Sequence, residues 1–259
     1  MSFYNGFIGT NPNSNLLFTG GDTKSTFDKN LKTQSNDWYY RNCRLTYIRN
    51  TNGHRCKNLS EIDLDNYILF TGCSYSEGIG VELEKTFPYI LSQKLNVDYY
   101  NLAVGGSGPD VCFFNLVKFY FTAKKLPKCL ILQLPQNTRF LTFNKNPPLN
   151  IPFYNFNGIW LDECKNFILE GEELNYFTSK SKLFLRLIQE IYTCPIINVL
   201  PPSPEVCKKN EVRLSQIDNS RDLAHPGILS NERTALHLLE SIQKHDKYLD
   251  ATVHSTFRG

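Results

Sequence analysis

The chain has 259 residues, of which 41% are hydrophobic and 13% aromatic, so it can bury a sizeable core as one large α/β domain or two small ones. Its formal net charge of +3 is small, so composition gives no reason to expect nucleic acid or an anionic membrane as a partner. No apolar run approaches the ~20 residues of a membrane span. The N-terminus lacks the basic and apolar regions of a secretory signal, so we expect a cytoplasmic protein.

The eight cysteines are spread through the chain, and none forms a C-x-x-C pair. Several lie within apolar runs. This distribution favours reduced, buried thiols over a disulfide framework or a zinc site, and it agrees with a reducing compartment. We expect neither a metal nor a cofactor.

The first sixty residues differ from the rest of the chain. Residues 1–36 are polar and predict an extended arm with little regular structure. Residues 38–40 and 45–48 have the composition of short strands, and Asn52-Gly53 is a favoured hairpin turn, so this part predicts a β-hairpin beside the main domain. We divide the chain into an extension over 1–60 and an α/β domain over 61–259.

Strands and helices alternate after residue 66. Strands are predicted over 67–70, 97–100, 129–134 and 195–200, and helices over 86–95, 111–123, 179–192 and 229–242. Asp110 is a plausible cap for the second helix. Residues 136–174 predict an irregular insertion that shapes a cleft, and 203–221 a polar loop. The alternation predicts an α/β fold, a three-layer α/β/α sandwich around a mainly parallel sheet.

One stretch, residues 69–80 (LFTGCSYSEGIG), has the form of a nucleophile turn. An apolar strand breaks at Gly72, presents Cys73 and Ser74, and continues toward a helix. Such a turn exposes the serine hydroxyl, and the N–H groups at a helix start favour a developing negative charge. The simpler interpretation is a turn followed by a helix cap.

A base for this serine is found near the other end of the chain. His225 lies in a loop just before the last predicted helix, three residues after Asp222. This spacing lets the carboxylate hold one ring nitrogen while the other faces outward. His237 and His245 lie within or after the final helix and are interpreted as surface residues.

With these residues, the chain resembles the SGNH/GDSL-type hydrolases. Gly72-Cys73-Ser74 stands where that family has Gly-Asp-Ser, residues 101–106 (NLAVGG) are similar to its second block, and residues 222–226 (DLAHP) match its last block. Residues 50–55 (NTNGHR) resemble an element that precedes the serine block in some glycan-modifying members. The resemblance implies a flavodoxin-like sheet.

The resemblance also implies roles for individual residues. Ser74 would be the nucleophile, and Asp222 and His225 the other members of a catalytic triad. The backbone N–H groups of Ser74 and Gly106 would stabilise the oxyanion.

The chain departs from the family pattern at two places. Cys73 replaces the aspartate of the first block. The third block is replaced by residues 133–139 (QLPQNTR), in which Asn137 is the best candidate for a side-chain oxyanion donor, and Gln133 or Gln136 could substitute because each carries an amide N–H.

Several other residues have two interpretations each. Cys73 is a rival nucleophile, but adjacent side chains at a turn point apart. Arg139 and Gln133 are candidates for substrate contact, although Arg139 is as readily explained as a surface residue. Tyr75 and Trp160 could stack on a sugar ring or pack in the core. Glu77 and Glu82 could form a carboxylate pair, but the preferred interpretation is that they are solvated residues near helix starts.

The main hypothesis is a serine esterase that removes a small acyl group, such as acetyl, from a carbohydrate or another acylated small molecule. An acyltransferase to a sugar hydroxyl, or a non-catalytic carbohydrate-binding or structural protein of the same fold, is the alternative. A nucleotide-binding protein with a phosphate at residues 105–108 is a third hypothesis. The sequence leaves the natural substrate and the oligomeric state open.

Overall fold

The computed structural model describes residues 6–135, 139, 173, 175–202, 207 and 210–244. Within these residues the helices and strands are, in chain order, β1 (Asn15–Leu16), α1 (Lys24–Thr33), β2 (Tyr47–Ile48), β3 (Tyr67–Thr71), α2 (Ser74–Glu77), α3 (Phe87–Leu95), β4 (Asp98–Asn101), α4 (Pro109–Ala123), β5 (Leu130–Leu132), α5 (Tyr176–Ile191), β6 (Ile196–Leu200), β7 (Glu211–Arg213) and α6 (Ile228–Lys244). Three short 3-10 helices cover Tyr39–Arg41, Leu59–Glu61 and Leu83–Lys85.

The main sheet is parallel and has the strand order β4-β3-β5-β6-β7. Numbered along the chain, this is the 2-1-3-4-5 order of flavodoxin-like folds. Every residue of β3 is buried, as expected for a central strand that is covered on both faces. The predicted α/β sandwich with a flavodoxin-like sheet is therefore confirmed.

The helices pack in two pairs, α3 with α6 and α4 with α5. Right-handed crossovers to the two sides of β3 place the two pairs on opposite faces of the sheet. The Asn231 side chain accepts a 3.0 Å hydrogen bond from the Phe87 N–H and joins the first pair. The rings of Phe113 and Phe184 stack at 4.5 Å and join the second.

After residue 66, the predicted elements are present with shifts of one to three residues at their ends, and two details of this part are wrong. Asp110 does not cap α4: Gly108 occupies the cap position, Pro109 begins the helix and Asp110 lies in its first turn. The predicted polar loop over 203–221 contains β7, an edge strand in which only Val212 is buried. A strand this short and polar has no apolar run that would indicate it.

The N-terminal part is more structured than the sequence indicated. The predicted arm contains α1, which Thr23 caps by accepting the Thr26 N–H at 3.1 Å. The predicted hairpin does not form: β2 pairs antiparallel with β1, and residues 39–41 are a 3-10 helix. The Asn-Gly pair at residues 52–53 indicates only a local turn. The strand that pairs with β2 lies about thirty residues earlier in the chain, and a local pattern cannot indicate it.

This N-terminal part also contributes to the main core, to which Phe7 belongs. The Ile8 N–H donates to the Asn115 side chain of α4 at 2.8 Å. The domain division at residue 60 stays a prediction. Apart from residues 139 and 173, the predicted insertion over 136–174 lies outside the described residues.

Several general properties hold within the described ranges. No helix there is long and apolar enough to cross a membrane, and no group of side chains there could hold a metal ion. The described cysteines are free thiols, and burial raises the pKa of both Cys56 and Cys112 to about 12. These two thiols therefore stay protonated and behave as small apolar side chains.

We expect Leu69→Ala to lower the free energy of unfolding by about 2–5 kcal/mol, because Leu69 is fully buried in the central strand β3. The matched control is Leu183→Ala on α5, where the side chain is 55% exposed and the change should stay within about 0.5 kcal/mol. Urea unfolding followed by circular dichroism measures both. Equal losses would contradict the assignment of β3 as an interior strand of the sheet.

Candidate active site

Three predicted site segments follow neighbouring strands at the carboxyl edge of the sheet. Ser74 follows β3, Gly105 and Gly106 follow β4, and Gln133 follows β5. The loop over residues 218–227, here called the base loop, carries Asp222 and leads into α6. In open parallel sheets, ligands bind at this edge.

Hydrogen bonds to the Gln133 side chain stabilise the turn before Ser74. Gly72 has φ +155°, and a Cβ there would lie 2.5 Å from Gln133 Oε1 and 2.6 Å from Ser76 Oγ. The same Oε1 accepts the Cys73 N–H at 2.9 Å and the Ser76 hydroxyl at 3.3 Å. Gln133 is buried, so the structure gives it a role in supporting the turn, and a substrate contact by Gln133 stays a prediction.

The base loop orients His225 through Asp222. Asp222 Oδ2 accepts a 2.6 Å hydrogen bond from His225 Nδ1, which leaves Nε2 as the outward nitrogen. Asp222 Oδ1 accepts three more, from the Ser220 hydroxyl at 2.7 Å, the Ala224 N–H at 3.0 Å and the His225 N–H at 3.1 Å. The carboxylate thus holds both its own loop and the imidazole.

The base loop has two further features, a lowered pKa at Asp222 and a left-handed residue at Leu223. Burial opposes ionisation of Asp222, but the hydrogen bonds from His225 and its neighbours outweigh it and lower the pKa to about 2. Leu223, between Asp222 and His225, takes φ +61°, a left-handed conformation that costs about 1–2 kcal/mol in an L-residue. Strained backbone of this kind clusters at functional sites.

The turn before Ser74 and the base loop lie side by side. The rings of Tyr75 and His225 meet edge to face, with centroids 5.5 Å apart. Ser74 is half-buried, and its hydroxyl makes no hydrogen bond to another residue that the structure describes. Hydrogen bonds between a nucleophile and its base often tighten only when substrate binds. The roles of Ser74, Asp222 and His225 stay predictions.

Glu77 fixes the loop that carries Gly106. Its side chain is buried, and Oε2 accepts the Gly105 N–H at 2.5 Å while Oε1 pairs with Arg49 Nη2 at 2.6 Å. Arg49 is buried as well and donates to the Thr19 hydroxyl at 2.9 Å. The expectation that Glu77 is solvated is therefore wrong, because its charge is buried and paired with Arg49.

The expectation for Glu82 is only partly correct: Glu82 stands at the start of the 3-10 helix Leu83–Lys85, but it is not fully solvated. Glu82 is half-buried and accepts hydrogen bonds from the Tyr39 hydroxyl at 2.6 Å and from the Cys43 thiol at 2.8 Å. The sequence contains no local signal for these contacts, because both donors precede Glu82 by about forty residues.

The element over residues 50–55 supports α2, the helix that begins at Ser74. Asn50 Oδ1 accepts the His54 N–H at 3.0 Å and closes the turn. Arg55, fully buried, donates to the carbonyl oxygens of Gly78 and, at 2.7 Å, of Val81. This element therefore holds the segment that follows Ser74. Burial of His54 lowers its pKa to about 4, so His54 is neutral at pH 7.

The remaining predicted contacts are only partly located. Tyr75 is half-buried beside His225, and burial raises its pKa. Arg139 is half-buried, and its positive charge opposes the rise in the Tyr75 pKa. Its Nε makes no hydrogen bond within the described residues. Asn137 lies outside the described residues, as do Gln136 and Trp160. The oxyanion role of Gly106 and the substrate contacts of Tyr75 and Arg139 stay predictions.

Comparison with known proteins gives remote structural similarity alone. No protein-family model and no curated protein matches the chain. A family two carbohydrate esterase from Clostridium thermocellum, in complex with cellohexaose, is similar at 13% identity and a TM-score of 0.46, over 72% of this chain and 66% of that one. An acetyl xylan esterase from Butyrivibrio proteoclasticus is similar at 15% identity and a TM-score of 0.42, over 74% of this chain and 66% of that one.

A protein of the G-D-S-L lipolytic family from Desulfitobacterium hafniense is similar at 13% identity and a TM-score of 0.41, over 68% of this chain and 99% of that one. The chain spans just under two thirds of each of the two carbohydrate esterases. Similarity at this level identifies neither the reaction nor the substrate.

The low pKa of Asp222 predicts a pH-dependent contribution to stability. A carboxyl group whose pKa is lower in the folded state stabilises the fold above its ordinary pKa of 3.8 and loses that contribution as pH falls through about 2. We expect the difference in unfolding free energy between wild type and Asp222→Asn to shrink by about 2 kcal/mol from pH 6 to pH 2. Denaturant unfolding at a series of pH values measures it, and a constant difference would contradict it.

The buried Glu77–Arg49 pair predicts a large loss of stability when one partner loses its charge. Glu77→Gln leaves Arg49 buried without an ionic partner and should lower the free energy of unfolding by about 3–5 kcal/mol. Glu84→Gln, at an exposed position nearby, is the matched control and should change it by less than about 0.5 kcal/mol. Similar melting curves for the two variants would show that the pair is not sequestered from water.

Proposed function

We propose that the chain is a serine ester hydrolase in which Ser74 is the nucleophile, His225 the general base and Asp222 the residue that orients it. The observation that carries the proposal is the 2.6 Å hydrogen bond between His225 Nδ1 and Asp222 Oδ2, in a loop that packs against Tyr75, the residue after Ser74. A carboxylate held on Nδ1 directs the basic Nε2 outward, which is the arrangement that serine hydrolases need.

The proposed reaction has two halves. Ser74 Oγ attacks the ester carbonyl while His225 Nε2 takes its proton, and the tetrahedral intermediate collapses by expelling the alcohol, which receives that proton from His225. Water then attacks the acyl-enzyme with His225 again as base, and the carboxylic acid leaves as Ser74 regains its proton. Asp222 stays ionised throughout, in agreement with its low pKa.

The oxyanion would be stabilised by backbone N–H groups of Ser74 and Gly106. Support for Gly106 comes from Glu77, which holds the neighbouring Gly105 N–H at 2.5 Å and so fixes the course of that loop. Preorganised donors lower the barrier because they do not have to reorient as charge develops. We propose Asn137 as the additional side-chain donor, on the basis of its place in the sequence alone.

An acetyl group on a carbohydrate is the proposed substrate. Sequence resemblance supports this class, and the half-buried ring of Tyr75 beside His225 offers a surface on which a sugar could rest. The positive charge of Arg139, which lowers the pKa of Tyr75, would attract an anionic sugar to that surface.

The test is hydrolysis of p-nitrophenyl acetate by wild type, Ser74→Ala and His225→Ala. Both variants should lose about 10⁴-fold or more in kcat, because each removes a member of a unit that acts together. The matched control is His237→Ala on α6, where the imidazole accepts a 3.0 Å hydrogen bond from the exposed Arg233, and its activity should equal that of wild type.

Labelling with a fluorophosphonate probe separates the two possible nucleophiles. Mass spectrometry of the labelled peptide should locate the adduct on Ser74 and not on Cys73. Full activity of Ser74→Ala would refute the assignment, and an inactive, unlabelled but folded wild type would favour a carbohydrate-binding protein of this fold. Release of acetate from acetylated xylan oligosaccharides then tests the substrate class.

A further inference from the structure

A buried ion pair joins the N-terminal segment to the base loop. Asp22 is fully buried, and Arg221 Nε donates to both of its carboxylate oxygens at 3.0 Å while Arg221 Nη2 donates to Oδ2 at 2.6 Å. Arg221 Nη2 also donates to the Leu17 carbonyl at 2.5 Å, and the Asn30 amide donates to the Arg221 carbonyl at 3.0 Å. The segment therefore holds both the side chain and the backbone of Arg221.

Aromatic rings shield this pair from water. The guanidinium carbon of Arg221 lies 4.7 Å from the ring centroid of Phe18 and 5.3 Å from that of Phe27. Cation–π contacts and a forked carboxylate contact each restrict the orientation of a guanidinium. Arg221 consequently has one well-defined position.

The same cluster is connected to the segment that carries the nucleophile. The Tyr47 hydroxyl donates to Asp22 Oδ2 and accepts the Gly80 N–H at 2.9 Å, and the Gly80 carbonyl accepts the Arg221 N–H at 3.0 Å. Burial and the Asp22 carboxylate raise the pKa of Tyr47, so its hydroxyl keeps the proton that it donates. At Gly80, φ is +85° and a Cβ would lie 2.2 Å from Ser220 Oγ, so the two segments are in direct contact.

The N-terminal segment also borders the predicted catalytic pair. A Cβ at Gly21 would lie 3.4 Å from Asp222 Oδ2 and 3.9 Å from His225 Cε1, and Gly21 itself is exposed. The residue before Asp22 thus lies at the rim of the site, beside the imidazole.

We propose that Asp22 and Arg221 are positioning residues of the active site, whose ion pair holds the base loop in register with the segment that carries Ser74. The inference rests on the proposed function. Arg221 immediately precedes Asp222, so a displaced guanidinium would displace the carboxylate that orients His225. Misplacement by about 1 Å far from the reacting atoms can cost about a hundredfold in rate.

The experiment compares Asp22→Asn with Asp28→Asn, which removes a carboxylate from the same segment at a largely exposed pair with Lys24. Steady-state kinetics with p-nitrophenyl acetate gives kcat and KM. Proton NMR of histidine-labelled protein follows the downfield Nδ1–H resonance of His225, which is identified by its loss in His225→Ala. Thermal unfolding shows that each variant is folded at the assay temperature.

For Asp22→Asn we expect kcat to fall about ten- to a hundredfold with little change in KM, and the His225 resonance to shift or broaden. Asp28→Asn should match wild type in both. A folded Asp22→Asn protein with wild-type kcat and resonance, even one with a lowered melting temperature, would overturn the inference, because a merely structural pair would change stability alone.

Two outcomes need a second measurement. If Asp22→Asn does not fold, Arg221→Lys decides, because it keeps both charges and removes the forked contact of the guanidinium with Asp22: a shifted resonance supports the inference and an unchanged one overturns it. If wild type hydrolyses no ester, the proposed function fails, and the His225 resonance in the same variants still tests the positioning.

Discussion

The arrangement of the site depends on the register of β3 between its two neighbours. Phe70 lies opposite Asn101 of β4, and Thr71 opposite Leu132 of β5, so these three strands end at the same level. The turn before Ser74, the loop after β4 and the side chain of Gln133 therefore meet at one edge. Since side chains alternate along a strand, a slip of β3 by one residue would exchange the side chains that face the two helix layers and would displace these segments relative to one another. The packing that buries β3 also specifies the site.

Buried charges provide a second constraint, because an isolated charge in the interior is costly and each must find a partner. Glu77 pairs with Arg49, and Asp22 pairs with Arg221. Both pairs join the N-terminal sixty residues to the segments at the sheet edge. Such pairs are weak evidence for net stability, since well-packed apolar residues can do as well. Their consequence is geometric: they allow few arrangements of the loops that they connect.

The difference between local signals and contacts with distant residues explains what could be predicted from the sequence. The strand β3, the helix α3 and the Asp222–His225 spacing have local signals, an apolar run, a 3.6-residue period and a short step to a histidine. The pairing of β1 with β2, the polar strand β7 and the burial of Glu77 depend on partners that are distant in sequence. Asp22 and its arginine are 199 residues apart, and nothing near Asp22 indicates that it is buried. Motif spacing located the candidate catalytic residues, and the residues that hold them required the structure.

The two departures from the motif that the sequence resembles, at Cys73 and at residues 133–139, are in contact with each other. Gln133 occupies the start of the altered third block, and its Oε1 accepts the Cys73 N–H, so its acceptor faces the nucleophile turn. Within the described part of the chain, its Nε2 donates only a long 3.4 Å hydrogen bond, to the adjacent Leu134 carbonyl. Gln133 thus acts on the turn, and among the described residues the candidate oxyanion donors are backbone N–H groups. Backbone donors lose no side-chain entropy when they bind. Their placement depends on the loops, which makes the buried pairs under those loops part of the proposed chemistry.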